Sequence, residues 1–359
     1  MPIRALALGR NRNRMTSNMQ PIVFDTQVRR RIRDLVLRVI DGEAIDRASL
    51  LWLFSLREPR DIYELLIGAY QIREAFHGRR TFLCSIYNVK SGGCPENCKF
   101  CAQSAWYSTH APRYNLVDGE EVLRVAKEVS ACSVGALALV AAWPTLTPEL
   151  LARLEPVIQR VKSEMRLELH ASLGMINDFH VAARLSELGL ACYHHNLETS
   201  PRYFSQICTT HTFQQRVTTV RLAKDVGLRV CSGGIIGLGE SIEDRVELAL
   251  MLRELDVDAV PINILTPIPG TPMESVPPLP PLEILKTVAC FRFALPHQHI
   301  TIAGGRPQNL RDLQPMALIA GATGLMVGNY LTTLNRPIGD DLRLIRDLEL
   351  ELVDSLGRV

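Results

Sequence analysis

The stretch Cys94-Pro-Glu-Asn-Cys98-Lys-Phe-Cys101 decides how the rest of the chain is read. Its three cysteines, spaced C-x3-C-x2-C, follow directly on the apolar run Thr81 to Val89, with Gly92-Gly93 before them and Ala102-Gln-Ser after them. An apolar run that ends in glycine is a strand entering a turn, so the thiols belong to a loop at a strand's carboxyl end. Soft thiolates at this density converge on one iron–sulfur cluster or one soft metal. If the cluster is 4Fe-4S, three thiolates hold three irons and leave the fourth open to a small molecule. A closed zinc site would need a fourth ligand, for which the nearest downstream candidate is His110.

From that loop outward the chain alternates. Strands are predicted at Thr81–Val89, Ala136–Ala141, Arg166–Leu173, Ala191–Glu198, Arg229–Gly237, Ala259–Thr266, His299–Gly304 and Gly324–Val327, each followed by a helical pattern. Eight such units with short loops predict an α/β fold, a closed parallel (β/α)8 TIM barrel over residues 80–335. Upstream, Val28, Ile32, Leu35, Val36 and Ile40 recur at helical spacing. They predict helices Gln27–Ile45 and Arg47–Gly78, with Asp46 as a cap, in a helical layer over 21–79. Residues 1–20 are expected to be a disordered extension, with Met15 as an alternative start to Met1, and 336–359 a final amphipathic helix packed on the barrel. Pro148-Glu149, Asp178 and Ser241-Ile-Glu-Asp mark helix starts, and Gly189 and Gly227 mark helix stops. Pro277 to Pro281 is expected to be a stiff connector.

A barrel of this kind uses about 250 residues as one unit, so 359 residues accommodate it with extensions. Lysine plus arginine is 40 against 38 acids, and a net charge of +2 argues against a nucleic-acid or membrane-surface partner and for a small-molecule substrate. Nine cysteines without a secretory leader fit a reducing cytoplasm in which thiols serve metals. No run approaches the roughly 18 apolar residues of a membrane span.

Chemistry in such barrels sits at the carboxyl ends of the strands. Strand four carries His194-His195-Asn196-Leu197-Glu198, and alternation puts His194, Asn196 and Glu198 on the inner face and His195 on the outer one. Strand five, Val230-Cys231-Ser-Gly-Gly-Ile-Ile-Gly237-Leu-Gly239-Glu240, has glycines that let a nucleoside approach the backbone, but not the spacing of a dinucleotide fingerprint. Strand six offers Asn263, and strand seven ends in Ala303-Gly304-Gly305-Arg306.

The stretch from Asn88 to Ser104 resembles the cluster loop of radical S-adenosylmethionine (SAM) enzymes, most closely the biotin synthase family, and Phe100 matches the aromatic residue before the last cysteine. The resemblance covers roughly residues 80–335. It implies a 4Fe-4S cluster on Cys94, Cys98 and Cys101 that binds SAM and yields a 5′-deoxyadenosyl radical. It also implies that Glu198 meets the SAM ribose, that Gly237 and Gly239 lie along the adenine, and that Arg216 approaches the SAM carboxylate. Asn196 and Asn263 would meet substrate, with Thr332, Thr333 and Lys90 near its carboxylate. In this family the radical removes hydrogen from dethiobiotin, and sulfide from an auxiliary 2Fe-2S cluster closes the ring; a flavodoxin or ferredoxin donor and a homodimer go with it.

The auxiliary ligands in the resembling family are three cysteines and an arginine, matched here by Cys231 and Arg306. Ala138 and His170 stand at the other two positions, and Cys192 shares the strand parity of His194. Such a set is expected to hold a 2Fe-2S cluster weakly or not at all, because alanine offers no donor and imidazole is neutral. Two alternatives follow: a radical SAM enzyme of the same fold with another substrate and no sulfur-donating cluster, or a non-catalytic iron–sulfur scaffold.

Overall fold

The computed structural model describes residues 26–329, 331 and 335–355. The chain begins with helices Gln27–Ile40, Arg47–Ser55 and Pro59–His77. Thr26 caps the first by accepting from the Arg29 amide at 3.1 Å, and Asp46 caps the second by accepting from the Ser49 amide at 2.6 Å. The first helix stops at Ile40, short of the expected Ile45, where Gly42 takes φ +90°. The expected helix Arg47–Gly78 is two helices, because Pro59 pushes the residue before it out of the helical region, and Glu58 is extended at ψ 128°. Two fully buried arginines fasten this layer to the barrel: Arg73 donates to the carbonyls of Ala322, Gly78 and Arg80, and Arg292, from the barrel side, meets His77 Nε2 at 3.0 Å and donates to the carbonyls of Gly321, Leu295 and Gln298. Each guanidinium supplies the donors that these buried chain ends require.

The barrel staves are β1 (Arg80–Lys90), β2 (Ala136–Ala141), β3 (Glu168–Ser172), β4 (Cys192–His194), the broken pair β5 (Arg229–Cys231) and β6 (Gly234–Ile236), β7 (Ala259–Ile264), β8 (His299–Ile302) and β9 (Gly324–Val327). All pair in parallel, and β1 with β9 closes the ring. The fold is the α/β barrel that the alternation predicts. The helices between the staves start at the expected caps: Thr147 just before Pro148, Asp178, and Ser241 in a reciprocal box with Asp244.

β3, β7 and β8 are each two or three residues shorter than the expected runs, and two staves depart further. β4 ends at His194, and β5 breaks at Ser232-Gly233, where the chain packs so closely that a side chain on Gly234 would stand 2.4 Å from the Glu198 carbonyl. The tail also departs from expectation. Its helix runs only over Ile338–Asp347, and after Glu349 at φ +53° the chain forms β10 (Glu351–Val353), parallel to β1 at Arg80–Phe82. That end of β1 projects below its pairings with β2 and β9, and the Glu351 amide donates to the Arg79 carbonyl at 2.9 Å. Val353 packs with Phe82, Cys84, Ala136 and Ala138, closing the amino end of the barrel.

Candidate functional site

The loop after β1 has little regular structure and is shaped by its own hydrogen bonds. The Cys94 amide donates to the Gln103 carbonyl at 3.0 Å, the Ala105 amide to the Cys94 carbonyl at 2.7 Å, and the Trp106 indole to the Pro95 carbonyl at 2.8 Å. A turn at 208–211 braces it from the side, with Asn97 Oδ1 accepting from the Thr209 amide at 2.9 Å and the Lys99 amide donating to the Ile207 carbonyl at 2.9 Å. Cys94, Cys98, Phe100 and Cys101 line the mouth of a cavity of about 330 Å³ at the carboxyl ends of the staves. That volume lies within the range of small-molecule pockets.

Glu198, Arg216, Asn196 and Asn263 line the same cavity. Arg216 enters from helix Phe213–Asp225, whose start is fixed by the Thr212–Gln215 capping box. Its Nη1 donates to the Asn196 carbonyl at 2.9 Å and lies 3.5 Å from Glu198 Oε1. Its Nε donates to His211 Nε2 at 3.0 Å, and His211 Nδ1 meets Glu96 Oε2 at 2.6 Å. Arg216, His211 and Glu96 thus tie the cysteine loop to the cavity wall. Burial pushes the Glu198 carboxyl up and Arg216 pulls against it, with a net rise. Glu198 Oε2 and His195 Nε2 are buried without a partner, and Glu198 takes a left-handed φ of +70°. Strained, unsatisfied polar groups inside a cavity are characteristic of a site that a ligand completes.

Sequence reasoning missed several residues here. His195, expected on the outer face, lines the cavity because β4 has already ended. Cys208 places its sulfur 3.7 Å from Cys98 and 3.3 Å from His211 Nδ1, and these three form a metal-capable cluster. The C-x2-H spacing of Cys208 and His211 was the available signal. The Cys98–Cys208 contact pushes the Cys98 thiol up and, with His211, pulls Cys208 down. Burial pushes Cys101 up to about 11 and raises Cys94 as well. Such thiols are protonated until a metal displaces the proton.

Other expected residues lie elsewhere. Gly237 and Gly239 form the turn after β6, with φ of +91° and +97°, and neither lines the cavity, whereas Ile235 does. Lys90 gives its ammonium to the carbonyls of Gly92 and Ala142, beside the cysteine loop and off the cavity wall. Thr332 and Thr333 lie outside the described residues. Arg306 does not point into the barrel. β8 ends at Ile302, Gly305 turns at φ +78°, and Arg306 opens helix Arg306–Leu310. There it makes a fully buried two-point pair with Asp341, at 2.8 and 2.7 Å, and also donates to Gln314 Oε1 at 2.9 Å. A guanidinium so held is a strut between the barrel and helix Ile338–Asp347, and it corrects the expectation of a cluster ligand. His170 and Cys231 lie beneath the cavity floor, beside Cys192 and His194. The residues present therefore fit the three-thiolate cluster at the rim, and they do not fit the three-cysteine, one-arginine set of a 2Fe-2S cluster at the floor.

Comparison with known proteins identifies the family. Residues 88–252 match the radical SAM superfamily and residues 261–351 the biotin and thiamin synthesis associated domain. The biotin synthase of Pelotomaculum thermopropionicum is 48% identical over 320 residues, covering 89% of this chain and 99% of that protein. That of Geobacter sulfurreducens is 46% identical over 324 residues, covering 90% and 98%. Among solved structures, methylornithine synthase superposes with a TM-score of 0.78 at 23% identity over 89% of this chain and 97% of its own. An FeFe-hydrogenase maturase from Carboxydothermus hydrogenoformans gives 0.78 at 17% identity over 92% and 81%. At such identities these two structures establish the shared barrel.

Proposed function

Because this chain belongs to the biotin synthase family of radical SAM enzymes, we propose that it converts dethiobiotin to biotin, beginning with hydrogen abstraction from a saturated carbon. The observation that carries the reading is the convergence of Cys94, Cys98 and Cys101 with Arg216 and the unpartnered Glu198 oxygen on one cavity. Cys94, Cys98 and Cys101 would hold a 4Fe-4S cluster, which would supply the one electron that SAM needs to yield a 5′-deoxyadenosyl radical. The chain's own part is to bind, orient and exclude water. Arg216 offers a planar cation at the loop for the SAM carboxylate, and Glu198 Oε2 accepts hydrogen bonds from a ribose. Asn196 and Asn263 hold neighbouring backbone amides, Gly233 at 3.2 Å and Gly304 at 3.0 Å, which keeps their amides in place at the wall for substrate. Ile86, Val140, Met175 and Met326 make the inner end apolar, which suits an alkyl chain and keeps water from a carbon radical.

The helical layer, described from residue 26 to 79, and the barrel work as one unit in this reading, with the segment up to residue 355 closing the barrel's far end. A flavodoxin or ferredoxin is the one-electron donor, the working form is a homodimer, and the compartment is the reducing cytoplasm. Nine free cysteines and an oxygen-sensitive cluster support that last placement. No helix of the described residues is long and apolar enough to cross a membrane.

A second reading keeps the radical chemistry and changes the substrate. It is favoured by Ala138 and by the Arg306–Asp341 pair, which together remove two family ligands for the sulfur-donating cluster. Anaerobically reconstituted protein given SAM, reductant and dethiobiotin separates the two, with and without added sulfide and ferric iron. The first reading expects 5′-deoxyadenosine in both cases and biotin once sulfide is present together with ferric iron, which takes up the one electron released as each carbon radical forms its bond to sulfide. 5′-Deoxyadenosine with no biotin under either condition overturns it in favour of the second.

A further inference from the structure

At the floor of the cavity, which His194 itself lines, His170 on β3 and Cys192 and His194 on β4 each bring one ligand atom to within 4.8 Å of the others. His170 Nδ1 stands 3.1 Å from His194 Nε2. Cys231 is the register partner of His194, so it shares the inner face, and its thiol hydrogen-bonds to Cys192. The lower side of the cluster is closed: His170, Cys192 and Cys231 are buried, and Phe82 and Val353 close the barrel below, while the half-buried His194 faces the cavity.

We infer that His170, Cys192 and His194, with Cys231 as fourth donor, form a site for a single borderline divalent cation of the zinc class, where the family resemblance expects a two-iron cluster. Geometry is the first support. A tetrahedral ion with bonds of roughly 2.0–2.3 Å holds its ligand atoms about 3.3–3.8 Å apart, a spacing that His170, Cys192 and His194, all within 4.8 Å of one another, approach. A two-iron cluster needs its ligands divided between two metal atoms on opposite sides. The side that would supply them is Ala138 on β2, and Arg306 is committed to Asp341.

The surroundings of His170 are the second support. Its Nε2 meets Glu168 Oε2 at 3.1 Å, and Glu168 is itself paired with Arg229. A carboxylate that accepts from one ring nitrogen leaves the other as a lone pair, the outer-shell arrangement usual for a metal-binding histidine. Here that lone pair faces His194 and Cys192. Charge is the third support, since two thiolates neutralise a dication and two imidazoles add none, so the occupied site buries no net charge. Both thiol protons leave as the ion enters.

The test uses the full chain with its radical cluster already loaded anaerobically, titrated with Co2+ as the probe. The expected result is one Co2+ per chain with tetrahedral d–d bands and thiolate charge-transfer absorption. His170→Ala and Cys192→Ala should each weaken uptake by more than about 100-fold, and Glu168→Gln by roughly 10–100-fold, the usual cost of losing an outer-shell partner. Unchanged 4Fe-4S absorbance in each variant shows that the chain has folded, and Cys208→Ala should leave uptake as it was. The proposal is overturned by a second iron–sulfur chromophore in the wild-type chain, by no stoichiometric Co2+ uptake, or by uptake that survives Cys192→Ala or disappears in Cys208→Ala. SAM cleavage is read separately, so this outcome and that of the biotin assay are independent.

Discussion

The rim and the floor of the same barrel contrast in how their ligands are held. At the rim, three cysteines within eight residues are shaped by backbone hydrogen bonds inside one loop, and Glu96, His211 and Arg216 link that loop to the cavity wall. At the floor, each candidate ligand comes from the face of a stave, and a single substitution such as alanine at 138 removes a donor without disturbing the strand that carries it. The rim carries the three thiolates that the resemblance implies for a 4Fe-4S cluster, whereas Ala138 and the Arg306–Asp341 pair leave the floor without two of the ligands it implies there. The difference teaches how the two groups of ligands depend on the fold: the rim thiols are set by a local loop, and the floor residues are brought together only by closure of the barrel, so the two proposed sites are expected to be separable.

The largest effect breaks the rim. Cys98→Ala should abolish 4Fe-4S absorbance and all 5′-deoxyadenosine formation from SAM, since each of three thiolates holds a separate iron. Cys208 lies 3.7 Å away, so iron content is to be measured in Cys208→Ala and in the double variant too. Full activity in Cys98→Ala that vanishes only in the double variant would make Cys208 the ligand and overturn the assignment of the rim.

Next in size is the Arg306 strut, which was expected at the floor. Asp341→Ala leaves a fully buried guanidinium without its carboxylate and should lower the unfolding free energy by about 3–5 kcal/mol, read from denaturant curves of the cluster-free chain. If Arg306 instead served a metal at the floor, the same substitution would cost little stability and would change the auxiliary chromophore.

How legible each region was follows from the same contrast. The barrel was legible because each stave carries its own apolar run, and the rim because its motif is contiguous. Alternation then carried β4 too far: the strand ends at His194, so His195 turns inward although parity placed it outside. Arg306 was placed by its nearness to strand seven, but Gly305 turns the chain and its partner lies 35 residues on, in a helix no local pattern connects to it. Pro59 was a readable helix break that periodicity overrode. β10 was illegible for a different reason, since three residues of tail become a strand only because β1 leaves an unpaired edge there.

The smallest effect sharpens the comparison at the point where the rim meets the cavity. Arg216 has two roles: it offers a cation for the SAM carboxylate, and it holds His211 and the Asn196 carbonyl in place. If the first role dominates, Arg216→Ala should weaken SAM binding by about 1.5–3 kcal/mol, the scale of a charge-assisted hydrogen bond. The readout is the SAM dissociation constant of the cluster-loaded protein, expected to rise roughly 10- to 150-fold while iron content stays constant. Arg216→Lys should recover only part of the loss, because an ammonium keeps the charge and not the planar fork. A purely structural Arg216 predicts the opposite pattern, in which iron content falls with the His211–Glu96 link and the remaining cluster binds SAM normally. Co2+ uptake beneath the cavity should not change in either variant, since no floor ligand bonds to Arg216; a change there would mean that rim and floor are coupled and would undo the separation drawn above.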